Sequence, residues 1–203
     1  IEKVALKAKE NKSNVFVAYN RRYYSSVVEA KKIIKNDGGV KSFNFEFTEW
    51  SHKIRKLQKP ISIKNNWFFA NSTHVIDLAF YLGGIPETIS CFVTGGLDWH
   101  PSASVFSGAG STKDGALFSY QANWEAPGRW GIEILTRKNR LIFRPLEKLQ
   151  IQKIGSNDIK TIELNDILDR KFKAGLYLQT KNFIEDKTDK SCSIDEHFSM
   201  VTF

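Results

Sequence analysis

Apolar residues recur along this chain with a period of two in some stretches and close to 3.6 in others, and the change of period marks its elements. In VKSFNFEFTEW, Phe43, Phe45 and Phe47 alternate with Ser42, Asn44, Glu46 and Thr48. Such alternation predicts a strand with one apolar and one wet face, as in an antiparallel sheet covered on a single side. Further strands are predicted at Thr88–Thr94, Ala116–Trp124, Trp130–Thr136, Arg140–Phe143, Leu149–Lys153 and Thr161–Leu164. Polar or glycine-bearing connections such as Asp114-Gly115, Pro127-Gly128 and Lys138-Asn139 separate several of them, which predicts a meander.

Helical spacing governs other stretches. Val27, Val28, Ala30, Ile33 and Ile34 fall on one stripe of a helix over Ser25–Lys35, closed by Gly38-Gly39. Residues 71–82 form a second helix, apolar nearly all round and ended by Gly83-Gly84. A third covers Arg170–Asp186, and a last one starts near Ser193. The chain opens with a short helix over residues 1–12 and a near-continuously apolar run, Asn14–Tyr19, that reads as a strand buried on both faces. The stretch GAGSTKDG reads as a loop between strands. The expected fold is therefore α+β: an open, mainly antiparallel sheet with helices on one face, preceded by the last helix and strand of an α/β unit. Residues 1–22 belong to that preceding unit and residues 23–203 to the sheet domain.

Composition narrows the class. The 203 residues include 15 Phe, 6 Tyr and 5 Trp, which a disordered chain lacks. No apolar run reaches the roughly 20 residues that span a bilayer. Two cysteines without CxxC spacing make a disulfide framework and a sulfur-ligated zinc site poor fits, with a reducing cytoplasm the default setting. A formal net charge of +8 is compatible with an anionic partner, but no nucleic-acid-binding motif accompanies it. Five basic and no acidic residues in HKIRKLQKPISIK, His52 to Lys64, form either a solvated loop or a device that attracts an anionic substrate.

Several chemistries are missing. Gly108-Ala109-Gly110 approaches G-x-G-x-x-G, but Lys113 takes the third glycine's place and no helical pattern follows. HExxH and GxSxG are absent. Two segments remain. In WFFANSTHVIDLAFYLGG, helical spacing puts His74, Asp77 and Tyr81 on one side of a buried helix, where polar groups need partners. The plain reading is a structural histidine bonded by Asp77 or by a carbonyl, with Asn71, Ser72 and Thr73 as N-cap residues. In Tyr19-Asn20-Arg21-Arg22-Tyr23, at the end of a strand, the choice lies between a ligand wall and a turn with solvated arginines.

The order AYNRRYY, amphipathic helix, GGVKSFNFEFTEW, NSTHVIDLAFYLGG and a run of strands resembles the Gfo/Idh/MocA oxidoreductases. LDWHPSASVFSGAG, YQANWEAPGRWGIE and RLIFRPLEKLQ resemble a branch of that family found in carbohydrate-related settings. The resemblance covers nearly the whole chain. It implies a C-terminal domain that follows a Rossmann domain binding NAD or NADP, residues 1–22 being the end of the latter. It further implies hydride transfer to or from a sugar, cyclitol or nucleotide-sugar derivative, and a homo-oligomer assembled through the sheet. His74 corresponds to the family's acid/base histidine, Asp77 is expected to be its hydrogen-bond partner, and Tyr19, Asn20, Arg21 and Asn71 are expected in the substrate wall.

The chain departs from the family pattern twice. Glu2-Lys3 is not followed by proline, so the family's Glu-Lys-Pro lysine is expected upstream of Ile1, together with most of the cofactor site; no cofactor is expected on these residues alone. Ala70 stands where the family often has aspartate four residues before the histidine. No metal site, membrane contact or nucleic-acid partner is expected. The competing reading is a non-catalytic sheet domain for oligomerisation or anionic ligand binding.

Overall fold

The strand with three alternating phenylalanines sits in the middle of the molecule. The computed structural model describes residues 1–203. It begins with α1 (Glu2–Glu10) and β1 (Phe16–Val17), then a 3-10 turn at Asn20–Tyr23 and α2 (Ser25–Asn36). After β2 (Ser42–Glu46) come two short helices, α3 (Ser51–Ile54) and α4 (Ile61–Asn65), and a π-helical turn at Phe68–Ser72. That turn runs straight into α5 (Thr73–Gly83). The strands β3 (Pro86–Thr94), β4 (Val105–Thr112), β5 (Leu117–Asn123) and β6 (Gly131–Leu135) follow. Next are β7 (Asn139–Phe143), β8 (Gln150–Lys153) and β9 (Ile159–Thr161). The chain closes with α6 (Ile167–Lys171), α7 (Leu176–Ile184), β10 (Cys192–Ser193) and α8 (Ile194–Thr202).

Eight strands form one open sheet in the order β3-β4-β5-β2-β6-β7-β8-β9. Every pairing is antiparallel except β2 with β5. The expected α+β class and open sheet are borne out. The meander is not continuous, because β2 occupies the slot between β5 and β6. Its apolar face accounts for this: Phe43, Phe45 and Phe47 are at most 3% exposed, and the inner flank of α5 lies over them. Phe80 of α5 meets Phe43, Phe45 and Phe118 edge-on at 5.7, 5.7 and 5.0 Å between ring centroids. Gly83 makes the close approach possible, since a Cβ there would come within 2.4 Å of the Phe43 ring.

A single core of 25 buried residues joins this face to α2 and α5. The opposite face carries Asn44, Glu46, Ser107, Ser119 and Gln121 around a shallow recess of about 540 Å³. Both-parity apolar residues in β5 and β6 predict a patch there, yet Trp124, Trp130, Ile132 and Ile134 are all buried on the helix side. Leu117 and Phe92 remain as exposed apolar groups, at 64% and 72%.

Four further expectations change. GAGSTKDG is not a loop: Gly108 to Ser111 pair along β4, and only Lys113–Gly115 turn. The strand expected over Asn14–Tyr19 shrinks to two residues, and its partner is β10, antiparallel, rather than a parallel neighbour. Around it Ala5, Ala8 and Ile194, with Val15 and Val17, make a small second cluster separate from the main core. The helix expected over Arg170–Asp186 is two helices: α6 ends at Lys171, where Phe172 is extended, and α7 starts after Gly175, whose φ is +72°. Finally, the strand placed at Thr161–Leu164 runs instead over Ile159–Thr161.

Candidate functional site

The 3-10 turn, the first turn of α5 and the α6–α7 connection converge at one end of the core. The α6–α7 connection is pinned there by Asp169, whose carboxylate accepts from the backbone N–H of Ser25 at 2.8 Å and of Gly175 at 2.9 Å. Asn20 is buried and donates through Nδ2 to the Ala174 carbonyl at 2.8 Å. Lys173, next to Ala174 in the chain, is thereby held close enough to His74 for its charge to act there.

His74 lies in the first turn of α5 with its ring against Tyr19, 5.1 Å between centroids and nearly perpendicular at 78°. Its Nδ1 is buried and has no hydrogen-bond partner. Burial, reinforced by the positive charges of Arg21 and Lys173, lowers its pKa to about 4, so the imidazole is neutral at physiological pH. A neutral imidazole can accept a proton or a hydrogen bond but holds no spare proton to deliver as an acid.

Asp77 is not its partner. The carboxylate turns to Arg22, receiving Nε at 2.9 Å and Nη2 at 2.5 Å in a two-pronged pair. The same Nη2 reaches Glu196 of α8 at 2.6 Å, and the guanidinium lies 4.7 Å from the Tyr81 ring centroid. Arg22 is therefore a buried tie between the N-terminal turn, α5 and α8, not a solvated turn residue. The three groups Asp77, Cys192 and Glu196 stand close enough to hold a cation, but Arg22 already supplies that charge.

The residues expected in the wall divide in two. Tyr19 is buried and its hydroxyl pairs with Nδ1 of His197 at 3.0 Å. Asn71 does not cap α5; its Nδ2 donates to Glu49 at 2.8 Å, and Ser72 donates to the same oxygen at 2.9 Å. Glu49, 2% exposed, also receives Arg129 at 3.1 Å. Burial raises the Glu49 pKa, opposed by those three donors. Arg21 differs from all of these. It is half-buried, forms no ion pair and no side-chain hydrogen bond, and lies 4.5 Å from the Trp130 ring centroid. Arg129 lies at the same distance from the same indole.

No local pattern singles out Glu49, Arg129, His197 or Asp169, whose roles depend on partners far along the chain. Beside Glu49 a recess of about 680 Å³ opens between Trp50, His52, Arg55, Asp98 and Glu125. His74 is not in its wall, and its charges are internally matched, Arg55 by Asp98 at 2.5 Å and Glu125 by the Ser104 hydroxyl.

An open, mainly antiparallel sheet backed by helices also occurs in solved oxidoreductase structures. UDP-N-acetylglucosamine 3-dehydrogenase GnnA from Acidithiobacillus ferrooxidans matches with a TM-score of 0.67 and 12% identity, over 95% of this chain and 58% of that one. Levoglucosan dehydrogenase in complex with NADH and levoglucosan matches with a TM-score of 0.55 and 22% identity, over 72% of this chain and 46% of that one. An NAD binding oxidoreductase from Klebsiella pneumoniae matches with a TM-score of 0.63 and 15% identity, over 80% and 50%. At such identities the likeness establishes the fold. The chain spans about half the length of these structures. No protein-family model and no curated protein matches it. No helix is long and apolar enough to cross a membrane.

Proposed function

We propose that this chain is the substrate-side, C-terminal domain of an NAD(P)-dependent oxidoreductase of the Gfo/Idh/MocA type, acting on a sugar, cyclitol or nucleotide-sugar derivative. The observation that carries the reading is His74: a neutral imidazole at the head of a buried helix, with an unpartnered Nδ1 and an uncommitted arginine beside it. Structural histidines in a core have their nitrogens satisfied; the Nδ1 of this one is buried without a partner. In this reading residues 1–22, which pack against Ile194 in a small cluster apart from the main core, are the edge of the nucleotide-binding domain, and residues 23–203 form the substrate domain.

The residues present do not make a dinucleotide site. Gly108 and Gly110, the nearest approach to a pyrophosphate cradle, are committed to β4 pairing. The cofactor, bound by the other domain, supplies the hydride chemistry. These residues bind and orient the substrate and hold a hydrogen-bonding nitrogen at the reacting carbon's oxygen. His74, with its lowered pKa, polarises or accepts there. The whole protein is expected to be a cytoplasmic homo-oligomer, with the polar open face of the sheet as the surface for self-association.

Two measurements test this. Calorimetry on the 203-residue chain should show no saturable heat with NADH or NADPH, and micromolar affinity would overturn the domain assignment. In the full-length protein, His74→Ala should lower sugar-dependent cofactor reduction about 10²-fold or more, the usual worth of a positioned proton-transfer group. Turnover unchanged in a folded variant would return His74 to a structural role.

A further inference from the structure

Most polar groups around the candidate site are matched inside the protein. Arg22 has Asp77 and Glu196, Arg129 has Glu49, Asn20 has the Ala174 carbonyl and Tyr19 has His197. The unmatched groups are nearly all donors. Arg21 carries five N–H groups and no acceptor, and none of them is bonded. Lys173, three residues before Leu176 and carried on the segment that Asn20 and Asp169 fix, has no ion-pair partner. The buried Nε1 of Trp130, the indole under Arg21, donates to nothing. Arg21 and Lys173, whose charges both act on His74, and the indole N–H beneath Arg21 thus carry donors that no acceptor of the fold takes up.

Arg21 and Arg129 make the point by contrast. Both guanidinium carbons stand 4.5 Å from the Trp130 centroid, so each is held flat by the same ring. Arg129 is given a carboxylate by the fold, and Arg21 is not. Half-burial deprives Arg21 of part of its hydration and lowers its pKa, against the opposing influence of Tyr24 and Glu147. A guanidinium pre-oriented by stacking and left unpaired is built to take a planar oxyanion two-pronged.

We infer that Arg21 and Lys173 form an oxyanion subsite beside His74, and that the substrate of the proposed oxidoreductase is an acidic sugar, bearing a carboxylate or a phosphate ester. This rests on the substrate-domain reading and adds where the charge binds. It replaces the His52–Lys64 segment as the seat of anion capture, since there Arg55 is taken by Asp98 and Lys53 sits 3.9 Å over Trp50. An anion seated between the two cations would also offset the charges that hold His74 neutral.

The test is a titration of the 203-residue chain with D-glucuronate, D-glucose 6-phosphate and D-glucose, followed through the His74 imidazole resonances. Glucuronate, the phosphate ester or both should shift those resonances saturably, which separates the two oxyanion sources, while glucose should not. Arg21→Gln should weaken binding at least tenfold, Arg21→Lys should restore part of it, and the exposed change Lys173→Gln should cost a few-fold. Equal responses to glucose and glucuronate, or affinity indifferent to Arg21→Gln and to Lys173→Gln, would overturn the subsite. A neutral sugar binding equally well would leave the oxidoreductase reading standing. Conversely, saturable anion binding in a full-length protein that reduces no nicotinamide cofactor would remove the enzyme and keep the subsite.

Discussion

Arg21 and Arg22 are neighbours in the chain and meet opposite environments. Arg22 is 4% exposed, with its guanidinium gripped by Asp77 and Glu196. Arg21 is half-buried, stacked on Trp130 and bonded to nothing. The first turns of α5 repeat the contrast: Asp77, one turn in, is fully committed, and His74, at the head, keeps a bare nitrogen. A fold leaves few buried polar groups unsatisfied by accident. Arg22 and Asp77 hold the architecture, and under the proposed function Arg21 and His74 are the ones that take the ligand.

The contrast can be broken most forcefully at Arg22. Arg22→Ala leaves the Asp77 carboxylate buried and alone, and should cost about 3–5 kcal/mol in chemical denaturation. Arg21→Ala should change stability by no more than about 1 kcal/mol, because it strands no partner. Comparable losses from the two would erase the distinction. Glu49→Gln should fall between them. It keeps the shape but removes the charge facing Arg129, a loss of about 1–3 kcal/mol for a charged hydrogen bond, and the variant should also loosen the first turn of α5, visible as faster amide exchange at Asn71 and Ser72.

A pH experiment sharpens the same comparison. The pKa of His74 in the folded chain, about 4, lies below its ordinary value. The unfolded chain therefore takes up this proton first as pH falls. His74 accordingly contributes stability that is complete above about 6.5 and is lost progressively as pH drops towards 4. His74→Gln should flatten that part of the stability profile, and a folded wild-type imidazole titrating near 6.5 by NMR would contradict the burial argument. The smallest effect belongs to the Arg55–Asp98 pair, whose side chains are 68% and 55% exposed. Arg55→Gln should move stability by less than about 1 kcal/mol, a control showing that charge alone is not what separates Arg22 from Arg21.

Local pattern made much of this molecule legible. The Phe43-Phe45-Phe47 alternation defines β2, and the apolar run closed by Gly83-Gly84 defines α5, because strand and helix periods are written in adjacent residues. Partners distant in sequence are not so written. Spacing within the helix pairs His74 with Asp77, whereas the carboxylate finds Arg22, 55 positions away. The NRR segment is readable as a candidate wall, but only three-dimensional packing shows that Arg22 is ion-paired and Arg21 is not. β4 was lost to its glycines: Gly108 and Gly110 read as a loop, and they are small because Tyr120 and the Thr88 carbonyl lie where a Cβ would go. Glu49 looks like any strand-end glutamate until Asn71, Ser72 and Arg129 close around it.

The position of β2 bears on how the sheet can assemble. β5 and β6 follow one another closely in sequence yet cannot zip into a hairpin, because the place between them is reserved for β2, which lies about seventy residues earlier and must close that loop before it can pair. Contacts of that range slow folding in proportion to their share of the whole. Until β2 arrives, two inner edges stand open with their backbone groups unpaired, each a template for another chain. A substitution that weakens the Phe43, Phe45 and Phe47 face would therefore act before the native state exists, as lost yield of soluble protein during synthesis rather than as a softened finished fold.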